Sequence, residues 1–269
     1  MSSGETDTAQ SFWGHLDDLR SCLIKIGIVV IVLGIAAFLF KEELFAVILA
    51  PQKGDFITYR LIDKIGSLWG ESPASFSVKL INTGLARQFV AHMTAAVYAA
   101  VLCASPYILY QLFRFVSPAL YVNEKKYVIR TVSYSYLLFM AGVLLSYFLI
   151  FPLTFRFLGT YQVSSEVENM IALQSYISTL MTMSLAMGLV FEIPILSWLF
   201  AKLGLLSACF MRKYRKHAIV VILMMAAVIT PTSDVFTLSL IALPMWLLYE
   251  ISIWIVKNSR RKNEVIIAA

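Results

Sequence analysis

Charge is scarce in this chain: 14% of its 269 residues are Asp, Glu, Lys or Arg, against roughly 25% in an ordinary soluble domain. With 59% of its residues apolar, a soluble fold could not cover its own surface with polar groups. A bilayer removes that requirement, because lipid solvates apolar faces. Cysteine is scarce too. Cys22, Cys103 and Cys209 are odd in number and spaced for neither a metal motif nor a disulfide framework, which leaves unpaired thiols. His15, His92 and His217 lie too far apart for a local metal site, and zinc-protease and serine-hydrolase signatures are missing. The expectation is therefore no metal, no cofactor and no catalytic residue. A basic leader region is lacking as well. Residues 1–10 are polar and include Glu5 and Asp7, so the first apolar run is expected to stay in the membrane uncleaved. There is no internal repeat of 20–50 residues and no inverted-repeat symmetry like that of many secondary transporters. The net charge of +6 falls between apolar runs, without the interleaved aromatics of a single-strand groove, so nucleic acid is not an expected partner.

What the chain does have is long apolar runs. A spanning helix needs about 20 mostly apolar residues. Runs at about 23–40, 85–115, 127–155, 172–200 and 235–256 are candidates. A sixth, at 218–229, reaches only about 18 Å as a helix, against a hydrocarbon core of ~30 Å. A polar outer loop occupies 41–84, with turn signals at Lys53-Gly54 and Ser72-Pro73. Basic residues gather in the termini and two short loops: Arg20 and Lys25; Lys125, Lys126 and Arg130; Arg212, Lys213, Arg215 and Lys216; Lys257, Arg260, Arg261 and Lys262. The opposite loops, around Arg156 and Pro231, are nearly free of positive charge. The positive-inside rule then places both termini in the cytoplasm. That requires an even number of crossings, so 218–229 is expected to cross. Pro106, Pro152, Pro194 and Pro244 fall within spans, where each removes a backbone donor and bends its helix. The expected fold is an all-α integral membrane protein. A single membrane domain over residues 1–269 would hold six kinked transmembrane helices in a concave bundle.

Four segments carry chemistry. Glu192, in Gly188-Leu-Val-Phe-Glu-Ile-Pro194, is a carboxylate deep in the fourth span. An ionised group at that depth costs a few kcal/mol, so it faces a bundle interior or a wet cavity. It reads either as a structural hydrogen bond or as a functional polar contact. Ahead of the first span, Leu16, Leu19 and Leu23 share a helical stripe beside Asp17 and Asp18. Those acids serve either as favourable charges near a helix start or as a seat for a cationic ligand. The third segment is Phe115-Val-Ser-Pro-Ala-Leu-Tyr-Val-Asn-Glu-Lys-Lys126. Glu124 reads alone as a helix-start acid; with Asp18 it makes two acids on an otherwise basic face, matching a ligand with paired arginines. Fourth is Thr230-Pro-Thr-Ser-Asp234, where Asp234 is either an N-cap or a functional group.

In their order these segments resemble the TatC family of twin-arginine protein translocases. His15-Leu16-Asp17-Asp18-Leu19-Arg20 is similar to its amino-terminal signature, Pro51 to its proline after the first span, and Pro106 to Gln111 to its Pro-x-x-x-Tyr-Gln run. Phe115 through Lys126, Tyr147 through Pro152, Phe191-Glu192-Ile-Pro194 and Thr230 through Asp234 follow, then Ala242-Leu-Pro244 and Tyr249-Glu250. The likeness covers about residues 11–257. It implies a receptor in the cell inner membrane and not an enzyme. Twin-arginine signal peptides of folded proteins would bind at Asp18, Arg20, Phe115, Glu124, Lys125 and Lys126. Glu192, Pro51, Tyr147 and Asp234 would serve as intramembrane or partner contacts. TatA-type and TatB-type single-span proteins would be partners in a larger complex, with homo-oligomers and transport driven by the protonmotive force. This sequence departs from the family in places. Asp18 replaces a Glu one methylene longer, Lys125-Lys126 replaces an arginine pair, the Pro231–Asp234 turn is one residue longer, and Leu238 stands where Gln is usual. The alternative is a proton-coupled small-solute transporter with Glu192 as its proton relay. The single central acid, the missing repeat symmetry and the ordered motifs weigh against it.

Overall fold

A computed structural model describes residues 5–68, 78–116, 125–162, 164, 169–230 and 234–268. Nearly all of these are helical. In chain order the elements are α1 (Glu5–Leu39), α2 (Lys41–Ile48), a 3-10 turn (Ala50–Gln52), α3 (Ile57–Leu68), β1 (Leu80–Ile81), α4 (Arg87–Val116) and α5 (Lys125–Leu145). A single π-helical turn (Ser146–Ile150) leads into α6 (Phe151–Thr160). Then come β2 (Ile171–Ala172), α7 (Leu173–Val190), α8 (Ile193–Lys202), α9 (Ala208–Lys213), α10 (Arg215–Ile229) and α11 (Val235–Ala268).

Among the described residues, five stretches are long and apolar enough to cross a membrane: Leu16–Leu39, Arg87–Phe115, Ile129–Thr160, Leu173–Lys202 and Val235–Asn258. They match the five longer runs of the sequence. The sixth lies in α10, whose 15 residues give about 22 Å of helix, still short of a ~30 Å core.

Small side chains set the close approaches. Ala91, Ala95, Ala96, Ala100 and Ala104 of α4 are buried, a spacing that lets helix backbones meet when lipid supplies no hydrophobic drive between them. Gly34 of α1 faces Ala100, at 3.6 Å from a Cβ placed on the glycine. Gly142 of α5 lies so near α7 that such a Cβ would fall 2.5 Å from the Met187 carbonyl oxygen. Gly188 of α7 accommodates the Phe139 ring of α5 in the same way, at 2.7 Å. α7 is the central helix. Tyr176, Ile177, Leu180, Met183 and Met187 are buried on it, within a core that also takes in Ile150 and Phe151, Ile222 and Ala226 of α10, and Ile241 and Met245 of α11. α1 by contrast packs along α4 and leaves Ile31, Ile35 and Leu39 exposed.

The four span prolines act differently. Pro106 and Pro244 lie within continuous helices. Pro194 follows a two-residue break at Phe191 and Glu192, and Pro152 follows the π turn. A proline leaves the carbonyl four residues earlier without its helical donor. For Pro152 that carbonyl is Phe148 O, and the Thr58 hydroxyl of α3 donates to it. Within the outer loop expected at 41–84, residues 41–68 are largely helical and form a cap over one end of the bundle. A two-residue parallel bridge, Leu80 to Ile171 and Ile81 to Ala172, ties the loop to the start of α7. Ser72-Pro73 lies outside the described residues.

Candidate functional site

The end of the bundle away from the cap holds a polar pocket of about 210 Å3. Asp18, Ser21, Cys22 and Lys25 line it from α1, and Gln111, Arg114 and Phe115 from the last turns of α4. The antiparallel packing of these two helices brings Asp18 and Phe115 together across nearly 100 residues of sequence. Asp18 and Arg20 are exposed; Arg20 is not among the residues lining the pocket. Gln111 is held by a 2.6 Å hydrogen bond from its Nε2 to Tyr107 Oη. Glu124 lies outside the described residues, and Lys125 and Lys126 are described only as the first residues of α5. The pocket mixes one acid with two cations, which suits a ligand that exchanges its own cation for those already beside Asp18. Sequence reasoning missed Lys25, Gln111 and Arg114. Gln111 and Arg114 recur at helical spacing with Phe115, so they were readable as one polar edge of an otherwise apolar helix.

Glu192 occupies the break between α7 and α8 and is 5% exposed. Ser135 of α5 donates its hydroxyl to Oε2, and Oε1 has no hydrogen-bond partner among the described residues. The sequence leaves this carboxyl facing either a bundle interior or a wet cavity; it is packed inside, where Gly142 and Gly188 let α5 and α7 close on each other. The hollow nearby is an apolar groove of about 570 Å3 between the π turn and α11, walled by Leu145, Leu149, Phe191, Leu243 and Leu247.

Around the cap, tyrosine hydroxyls donate to backbone carbonyls, and Pro51 and Tyr147 each take part in one such bond. Tyr147 Oη donates to Val47 O at 2.7 Å, and Tyr176 Oη to Ile48 O at 2.9 Å. Tyr59 Oη lies 3.0 Å from Pro51 O and 3.1 Å from Pro152 O, its single proton shared between them. Burial pushes the Tyr59 phenol well above its ordinary value, with the Arg156 guanidinium opposing in part, so it remains a donor. Arg156 also pairs with Asp63 of α3 at 3.5 Å. No motif in the chain points to Tyr59 or Tyr176 in this role.

Asp234 caps α11: its Oδ1 accepts from Thr237 N at 2.7 Å and its carbonyl from Leu238 N at 3.0 Å. The N-cap alternative is thus what the geometry displays. At the opposite end of the α10–α11 hairpin, Arg215 and Glu250 pair at 2.7 Å, and Tyr249 Oη donates to Met211 O at 2.8 Å.

Against known proteins, residues 14–244 match the family described as Sec-independent protein translocase protein (TatC). A Sec-independent protein translocase protein TatC of Blattabacterium is 35% identical over 250 residues, 91% of this chain and 94% of the relative. Another, of Desulforapulum autotrophicum, is 36% identical over 242 residues, 90% of this chain and 82% of the relative. Among solved structures, a crystal structure of the twin-arginine translocase receptor TatC superposes with a TM-score of 0.73 at 32% identity, covering 91% of this chain and 99% of that one.

Proposed function

The chain belongs to the TatC family of Sec-independent protein translocases, and from that premise we propose that it is the receptor core of a twin-arginine translocase. Membership makes it a multi-pass membrane component of a protein translocase and not an enzyme, which displaces the small-solute transporter reading. In our reading it captures twin-arginine signal peptides of folded proteins. The binding face is Asp18, Arg20 and Phe115, continued by Glu124, Lys125 and Lys126. Glu192, Pro51, Tyr147 and Asp234 support contacts with TatA-type and TatB-type single-span partners in a larger complex, driven by the protonmotive force. The single membrane domain sits in the cell inner membrane with six crossings and both termini cytoplasmic.

The observation that carries this reading is the pocket joining Asp18 to Phe115, which ends where the segment bearing Glu124 begins. A guanidinium entering it gains a charge-assisted hydrogen bond, worth about 1.5–3 kcal/mol. The test is binding of a fluorescent twin-arginine leader peptide to the purified full chain in detergent. Asp18→Ala and Glu124→Ala are each expected to weaken binding about tenfold or more, as is Lys-Lys in place of the peptide's Arg-Arg. Unchanged affinity in both acid variants would sink the proposal.

A further inference from the structure

At the cap end of the molecule, a pocket of mixed lining between α2 and α4 lies end to end with an apolar groove along the seam between α1 and α4. The pocket, about 410 Å3, is lined by Lys41 at the start of α2 and by Gln88 and His92 in the first turns of α4, with Phe45 and Phe89 beside them. The groove, about 520 Å3, is walled by Ile31 and Ile35 of α1 and by Met93 and Val97 of α4. All four of these side chains are exposed. Phe38 joins the two hollows: it lines the groove and stacks on the His92 ring with centroids 4.1 Å apart.

Chemistry and depth agree along this seam. Lys41 follows the last residues of the first candidate span, so its ammonium stands at headgroup level. It makes no ion pair among the described residues, and Glu42 and Glu43, next along α2, do not line the pocket. His92 Nε2 is buried with no hydrogen-bond partner among the described residues. Below them the groove follows α1 from Leu39 back to Val30, about 14 Å at the helical rise, close to half of a ~30 Å hydrocarbon core. A cation and two polar side chains over a one-leaflet apolar trough suit a phosphate ester carrying a long chain.

We propose that this seam binds one phospholipid, with its phosphate on Lys41, its polar linkage against Gln88 and His92, and one acyl chain along the groove between α1 and α4. The site stands apart from the leader-peptide pocket, which lies at the other end of α1, and does not depend on the translocase reading.

The test is native mass spectrometry of the full chain in detergent, titrated with phosphatidylglycerol. Wild type is expected to retain one lipid. Lys41→Gln should weaken retention about fivefold, the worth of roughly 1 kcal/mol per basic residue at a headgroup, and Lys41→Arg should restore it. Val97→Trp, which fills the trough from an exposed position, should displace the lipid. Both variants should keep wild-type melting temperatures. Diacylglycerol with the same chains should bind weakly, and inorganic phosphate should not compete. Equal retention by Lys41→Gln and Val97→Trp overturns the proposal, as does equal retention of diacylglycerol. So does displacement by inorganic phosphate, which would mark an anion site with no use for the groove.

Discussion

At the scale of single residues, Glu192 and Ser135 show how unevenly a site can be read. Glu192 is legible because a carboxylate deep in an apolar run has to be held by something. Its partner is not legible, because a serine in an apolar helix ordinarily donates to the carbonyl one turn back. Ser133 does so to Ile129 O, Ser239 to Val235 O and Ser252 to Leu248 O. Ser135 departs from that pattern, and only the three-dimensional approach of α5 to the break after α7 reveals it. Removing a donor that leaves a buried acceptor unsatisfied costs about 1–3 kcal/mol. Ser135→Ala should therefore lower the thermal stability of the detergent-solubilised chain. Glu192→Gln, whose side-chain carbonyl still accepts from Ser135, should lower it less. If Ser135→Ala melts with the wild type, that hydrogen bond contributes nothing. Asp18 and Phe115, which the resemblance puts in one binding surface, share a pocket. Arg20, two residues on, does not join them there, since adjacent helical positions face different ways.

Among the elements, the long helices were readable from apolar length alone, and their ends fall within a few residues of expectation. The exceptions are α1, which begins well before its apolar run, at Glu5, and α11, which runs on past its own to Ala268. The helices of the cap are not legible in the sequence because they are short and rich in charge, and hydropathy reports such segments only as polar connection. What holds them is a set of hydroxyls aimed at backbone carbonyls of α2, the 3-10 turn, the π turn and α6, a pattern no linear motif encodes. Tyr59→Phe deletes the donor shared by Pro51 O and Pro152 O. Limited proteolysis should then cut faster within 53–68, while the bundle helices stay protected. An unchanged cleavage rate would mean Thr58 and the Arg156–Asp63 pair suffice. The α5–α7 contact makes the opposite kind of demand, for less rather than more. Gly142→Ala places a methyl against the Met187 carbonyl and the Phe191 ring, and overpacking of this kind costs about 1–3 kcal/mol. Gly27 has nothing within 4 Å of the same added carbon. Gly27→Ala should leave the melting temperature in place while Gly142→Ala lowers it.

For the whole molecule, the open quantity is the number of crossings, and α10 decides it. Charge distribution asks for an even count, whereas length admits only five helices. The hairpin geometry offers a reconciliation. α10 begins beside Glu250, through the Arg215 pair, and ends within a few residues of Asp234. Its 15 residues thus match the first 16 of α11, Val235 to Glu250, and the rest of the α11 span runs on past it. If α10 crosses, the bilayer beside it must thin toward about 22 Å, at a fraction of a kcal/mol per Å of mismatch. Single cysteines in a variant lacking the native three, probed in intact cells with a membrane-impermeant maleimide, test this directly. Lys53→Cys and Ser233→Cys should label from outside, and Lys216→Cys and Lys257→Cys only after permeabilisation. A five-crossing chain places Lys257 on the same side as Lys53, so outside labelling of Lys257→Cys would overturn the even count. Labelling of Ser233→Cys only after permeabilisation would instead show that α10 turns back without crossing.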